Sequence, residues 1–393
     1  MRTSKLVFPG VTMIAVTYGL ARFSYGLLLP NISHDLAMSS SVSGIISSLF
    51  YLSYCFAIVV SIVLTVDKGP RVMVLVAGVF AIVGLVIMGV SPNVWLLGFG
   101  VLLAGASTGF ASPPYGAAIT LWITEHKQGD ANTWINSGTS IGLVLSGIGT
   151  IFLASEWRFT YLIYACIGLI ALVWNAKILP RADHSHVTFK KGRFSFRNIK
   201  GAEPLIICST MLGISTAVFW TFAIDFLEST GRYQAWQLPL FWVILGVFGL
   251  LGGFSGSLIK RFGLPVAYKW GSFIMSAASF LMAWHPEEWS IVYLAAALFG
   301  VTYIFITGLL LVWGIKVFIT NASLGIGTPF LLLAVGQVIG SIVAGVIVDL
   351  VGFAPTFAIY GLIGVISILL GPKYTKYKCD QTPNYEPLST STP

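Results

Sequence analysis

Long apolar runs separated by short polar punctuation dominate this chain. Twelve can be traced, at about 7–30, 42–65, 72–91, 94–121, 131–154, 158–178, 204–227, 237–258, 266–284, 289–315, 323–348 and 353–371. Each is near or above the ~20 residues that a helix needs to cross the hydrocarbon core of a bilayer. Charges fall mainly between the runs. The pattern predicts an all-α membrane protein with twelve transmembrane helices.

The runs divide six and six. The polar, basic stretch from Arg181 to Glu203 separates residues 1–180 from residues 204–372. Residues 373–393 form a tail, rich in Pro, Thr and Ser from Asp380 onward, and that composition predicts disorder. The two halves repeat each other. Gly138, Gly142 and Gly147 in the fifth run have the spacing of Gly336, Gly340 and Gly345 in the eleventh. Thr160, Tyr161, Tyr164 and Gly168 in the sixth match Thr356, Phe357, Tyr360 and Gly364 in the twelfth, and Gly69 after the second matches Gly263 after the eighth. Three matches in one order at nearly one offset predict two six-helix bundles of parallel topology. Small residues at such spacings let helix backbones approach closely in lipid. They serve either plain packing or surfaces on which the halves rock.

Composition agrees: 56% of the residues are apolar and 9% charged, against about 25% charged in a soluble domain. The net charge of +8 is explained by placement. With both termini inside, every Lys and Arg except Arg22, Arg158 and Arg232 falls on the cytoplasmic side, which is the positive-inside signature. Nucleic acid is not needed to account for it. The first run is too long for a cleavable leader and is expected to remain as an anchor. Cys55, Cys166 and Cys208 lie in runs and Cys379 in the tail, and no disulfide or metal spacing is visible.

One residue breaks the pattern. Arg22 lies inside the first run, where a cation costs roughly 2.5–3.5 kcal/mol on insertion scales. It predicts a water-filled cavity and a partner. Tyr18, Arg22 and Tyr25 are spaced four and three apart and share a helical face. A guanidinium presents five donors in a fixed fork and cannot lose its charge, which suits a carboxylate, phosphate or sulfonate; the competing role is a structural ion pair.

The six-plus-six layout, the basic central loop and the charged loops after runs 2 and 8 resemble the major facilitator superfamily over residues 1–372. Asp67, Gly69 and Arg71 fit a shortened form of the family motif in the loop after helix 2, although its leading glycine is replaced by Val63. Trp157-Arg158 is similar to a common family feature, and the segment from Tyr18 to Pro30 is similar to helix 1 of bacterial members without a defined substrate. Gly142 is followed by Leu143 rather than by the proline of the drug–proton antiporter branches. The resemblance implies that helices 1, 4, 7 and 10 line a midplane cavity and that Asp67, Gly69, Arg71, Lys260 and Arg261 take part in conformational gating.

On those helices the candidates are Tyr115, beside the Pro113-Pro114 pair expected to kink helix 4, and Trp220 on helix 7. Asn136 on helix 5 and Gln337 on helix 11 add polar groups at depth, with weaker candidates in Tyr303, Thr307 and Trp313 on helix 10. Asp225 and Glu228, toward the outer end of helix 7, are candidate proton-coupling carboxylates, and an Arg22–Asp225 pair is geometrically possible. His184 and His186 are read as loop residues, not metal ligands. There is no Walker A sequence and no nucleophile elbow.

The expectation is a monomeric secondary transporter of a bacterial inner membrane, without cofactor or metal, that moves a small organic anion by proton symport. Export of an amphipathic compound by proton antiport is the alternative. An integral-membrane enzyme acting on lipid is less favoured, because the acidic residues are scattered. A receptor would more often carry a soluble output domain, for which neither terminus has room.

Overall fold

A computed structural model describes residues 3–153, 156–180, 202–318 and 322–373. Among them every regular element is helical, and twelve rods follow in order. Thr3–Ile14, Ala15–Phe23 and Ser24–Asp35 run together as α1, with a π-helical centre. Then come α2 (Ser40–Lys68), α3 (Pro70–Val90), α4 (Val94–Trp122), α5 (Glu125–Leu153) and α6 (Trp157–Ile178). The second half holds α7 (Ala202–Ser229) and α8, built from Gln237–Gly249, a 3₁₀ turn at Leu250–Phe254, and Ser255–Phe262. It continues with α9 (Leu264–Trp284), α10 (Trp289–Val317), α11 (Ala322–Val351) and α12 (Phe353–Leu369). Nine rods are long and apolar enough to cross a membrane; Gln237–Gly253 and Phe353–Leu369 are shorter, and α9 falls outside that set. His184 and His186, the central segment at 181–201 and the tail from 374 lie outside the described residues.

Two of the matched glycines share one backbone conformation. Gly69 and Gly263 both adopt positive φ, +81° and +80°, at the joints between α2 and α3 and between α8 and α9. Each amide closes the preceding helix, on Thr65 O and Ile259 O, and each is followed by a proline at the first or second position of the next helix. Proline tolerates that position because its missing N–H would have no helical partner there.

The glycine triplets resolve into two uses. A Cβ on Gly138 would lie 2.4 Å from Val11 O and one on Gly142 2.4 Å from Ala15 O, so both press α5 onto α1. Gly336 and Gly340 press α11 onto α7 in the same way, against Thr210 O and Ile214. These are contacts within a half. The third glycine of each triplet crosses between halves: Gly147 meets Pro239 and Val243 of α8, and Gly345 meets Ser40 and Ser41 of α2. Packing and inter-half contact are therefore divided by position within one motif.

The bundle has two ends, named here by Asp349, at the end of α11, and Arg71, at the start of α3. The contacts joining the halves begin at the Asp349 end and continue just past mid-helix. They include Gly44 against Ser341, Gly26 against Trp220 O, the hydroxyl pair Ser47–Thr221 at 2.8 Å, and an apolar cluster of Tyr54, Ile58 and Ala334. Nearer the Arg71 end, a Cβ added at Gly116, Gly129 or Gly327 meets nothing within 4 Å. Among the described residues, the close contacts between the halves thus gather toward the Asp349 end.

Candidate functional site

Arg22 lies near mid-helix, among contacts that join the halves. Its segment is π-helical, and π-helical turns recur at functional sites. The i→i+5 bonding advances each residue through a smaller angle than an α-helix does. Tyr18 stays beside the guanidinium, its ring centroid 5.9 Å from Cζ. Tyr25 does not. Its hydroxyl donates to Ser43 O at 3.1 Å, in the packing of α1 on α2.

Arg22 is only 6% exposed and is the one charged residue fully buried among the described residues. The rings of Tyr51, Phe23 and Tyr54 stand at 4.6, 5.1 and 5.1 Å from its Cζ. Cation–π contacts of this kind are worth about 2 kcal/mol when desolvated, which offsets part of the cost of burying the charge. Nη2 donates to Gln337 Oε1 at 3.2 Å, and Gln337 Nε2 donates to the Tyr303 hydroxyl at 3.4 Å. Tyr303 packs edge-on to Trp220 at 4.9 Å, and Trp220 stacks on Phe23 at 4.1 Å. These contacts close a ring through α1, α11, α10 and α7, so both halves hold the site. Within it the Arg22 Nε and Trp220 Nε1 donors have no hydrogen-bond partner.

Of the sequence candidates, the structure brings together Arg22, Tyr18, Trp220, Gln337 and Tyr303. Tyr115 is elsewhere: it is buried in the first half, and its hydroxyl donates to Asn175 Oδ1 at 2.6 Å. Asn175 Nδ2 donates in turn to Pro9 O and Ala171 O. The Pro113-Pro114 pair lies inside a continuous α4. Asn136 is exposed on α5 and donates to Asn132. Thr307 bonds its own helix at Ile304 O, and Trp313 packs on Tyr268. Tyr51, Tyr54 and Phe23 were missed. The first two are three apart in an apolar run, the spacing of one helical face, and that was the available signal; an apolar Phe23 beside Arg22 carried none.

Asp225 is half-buried and Glu228 exposed, and among the described residues neither carboxylate forms a hydrogen bond or ion pair. The two described ion pairs are Arg158–Asp35 and Arg232–Glu287. In this conformer Arg22 therefore turns to a neutral amide, Gln337, rather than to Asp225. Of the loop residues, Asp67 is exposed, while Arg71 Nη2 donates to Ala176 O at 2.6 Å near the end of α6, where a helix presents partial negative charge. Arg261 is exposed, with its own neighbour Phe262 at 5.3 Å; the side chain of Lys260 lies outside the described residues. A separate cleft of about 440 Å³ between α2 and α11 is lined by apolar groups such as Leu52, Phe56, Val60 and Ile339. It offers nothing to hold a charge.

Known proteins share this architecture. A nucleoside transporter, NupG, superposes with a TM-score of 0.72 at 14% identity, covering 93% of this chain and 98% of that one. A POT family transporter in complex with a thioalcohol-conjugated peptide gives 0.73 at 13% identity, covering 92% and 95%. Identities this low show a common fold. By sequence, the chain is similar to the uncharacterized MFS-type transporter YtbD of Bacillus subtilis, 21% identical over 388 residues, 93% of this chain and 95% of the relative. YbcL of the same organism, also described as an uncharacterized MFS-type transporter, is 24% identical over 261 residues, 65% and 66% of the two chains. The family model for the Major Facilitator Superfamily matches residues 11–328. This chain belongs to the major facilitator superfamily and is a multi-pass membrane transporter, not an enzyme.

Proposed function

We propose that this transporter moves a small organic anion by proton symport through alternating access, with Arg22 as the anion-binding residue. The observation that carries the reading is a buried arginine with an unused Nε donor and no carboxylate partner among the described residues, held between the two halves. An intramembrane charge in such a place is functional by default. Tyr18, Trp220 and Gln337 shape the pocket around it. Tyr25, Tyr115 and Asn136 act in the scaffold, or join the pocket in a different conformer. Asp225 and Glu228 remain the proposed proton-exchanging carboxylates, near the Asp349 end.

All twelve rods cross the bacterial inner membrane in this reading, and both termini are cytoplasmic. The Arg71 end then faces the cytoplasm, and the gathering of inter-half contacts toward the Asp349 end fits an inward-open conformer. Asp67, Gly69, Arg71, Lys260 and Arg261 would meet the opposite half when the Arg71 end closes. The protein works as a monomer.

The test is uptake into proteoliposomes of labelled carboxylates, sulfonates and neutral metabolites, with and without an imposed pH gradient, for wild type and Arg22→Ala. Gradient-driven uptake of an anion that a folded Arg22→Ala protein loses supports the reading. Transport of a neutral or cationic compound that survives the substitution removes it and leaves Arg22 a structural charge.

A further inference from the structure

The chemistry around Arg22 also constrains what kind of anion fits. Of the five donors of a guanidinium, Nη2 is engaged by Gln337, and Nε is buried without a partner. The groups around the charge are the rings of Tyr18, Phe23, Tyr51 and Tyr54, together with the neutral Gln337 amide. The positive charge is thus uncompensated among the described residues, and only one is available. Every other described Lys or Arg lies in a connecting segment or toward a helix end, as Lys68, Arg158 and Lys316 do. A second anionic group on a ligand would be desolvated among rings with no cation to meet it, which is costly. The same rings offer flat π faces, and Trp220 adds one more buried donor without a partner. A flat ligand can take the stacked and edge-on positions that the rings now take with each other.

We infer that the ligand of the Arg22 site is a planar monoanion, a single carboxylate on an aromatic or conjugated body without a second charge. This rests on the reading of Arg22 as the anion site and narrows it. The carboxylate would accept from Arg22 Nε and Trp220 Nε1, and the ring would lie against Trp220 and Tyr303.

The test is calorimetric titration of the purified full chain in lipid nanodiscs with benzoate, benzamide, terephthalate and cyclohexanecarboxylate. Wild type, Arg22→Gln, Arg22→Lys and Trp220→Phe are compared, with folding checked by gel filtration and melting. Benzoate is expected to bind wild type about tenfold or more tighter than benzamide or terephthalate, the discrimination expected when a buried charge or donor is left unmatched, and also tighter than cyclohexanecarboxylate. Arg22→Gln should remove the preference for acid over amide, and Trp220→Phe should weaken benzoate. Should Arg22→Gln not fold, the ratio of acid to amide in wild type and in Arg22→Lys carries the same information. If terephthalate or cyclohexanecarboxylate binds as tightly as benzoate in an Arg22-dependent way, the planar monoanion is overturned while the anion reading stands. Equal affinity for benzoate and benzamide overturns both. Absence of benzoate binding at millimolar concentration overturns the planar monoanion, and the uptake panel then decides the anion reading separately.

Discussion

The carboxylate of Asp349, at the end of α11, grips the first turn of α2 in the opposite half. Oδ1 accepts from the amide of Ser40 at 3.0 Å, and Oδ2 accepts from the amide of Ser41 at 2.8 Å and from its hydroxyl. The first amides of a helix have no partner within it, and an anion there is favoured by the helix dipole. Ser39 caps the same turn locally, accepting from Val42 N. The contact ties the two halves at the Asp349 end, beside the Gly345–Ser40 crossing.

Replacing Asp349 by Ala should therefore loosen the contact between the halves more than the fold. A lost cap of this type costs about 1 kcal/mol, or roughly a fivefold shift in a two-state equilibrium. The readout is the labelling rate of a cysteine placed at Ser47, on the Asp349 side of the Arg22 site, by an impermeant thiol reagent in a background lacking the native cysteines. An unchanged rate would mean that the contact does not bias the conformer.

The glycine triplets predict two phenotypes from one kind of substitution. Gly345→Ala and Gly147→Ala place a methyl where Ser40 O stands at 2.3 Å and a Val243 methyl at 2.6 Å. They should push the halves apart at the Asp349 end with little loss of melting temperature. Gly142→Ala and Gly340→Ala place theirs inside a half, 2.4 Å from Ala15 O and 2.7 Å from the Ala217 methyl. Those should lower the melting temperature, at a typical overpacking cost of about 1–3 kcal/mol. Spin-label distances across the Asp349 end, measured beside thermal melts in detergent, separate the two; a common phenotype for all four would refute the division.

Tyr115→Phe removes the hydroxyl that donates to Asn175 Oδ1 while leaving the ring in place. The expected loss is about 1 kcal/mol of stability, with substrate KM unchanged. A raised KM in a protein of unaltered stability would place Tyr115 in the substrate path instead.

Arg158 joins three helix ends. It pairs with Asp35 at the end of α1, and its Nε and Nη2 both donate to Ser91 O, just past α3. The ion pair is more than a third exposed and so contributes little by itself; the forked contact with one carbonyl is the part that lysine cannot reproduce. Arg158→Lys should accordingly melt close to Arg158→Ala, both below wild type. Recovery of wild-type melting by lysine would assign the effect to charge.

Much was legible in the chain because lipid imposes strong constraints. Apolar runs long enough to span had to become helices, since hydrocarbon offers the backbone no other partner, and the twelve rods follow those runs. The repeated Gly69 and Gly263 marked joints where positive φ is needed. Arg22 stood out because a charge in such a run is costly wherever the helix turns. The residues around it were harder to read. Tyr115 and Tyr51 are both tyrosines in apolar runs, yet one bonds a buried asparagine and the other faces the guanidinium.

By itself, then, the sequence determined the helical class and singled out Arg22 as a charge inside an apolar run. The tertiary structure alone decided that charge's company. Gln337, its hydrogen-bond partner, lies 315 residues away, and no local periodicity reports such a distance. Tyr25, assigned by spacing to the face of Arg22, instead bonds Ser43 O in the packing of α1 on α2. The third glycine of each triplet joins the opposite half only because the helices cross there, and a crossing point is a property of two packed surfaces rather than of either strip of sequence.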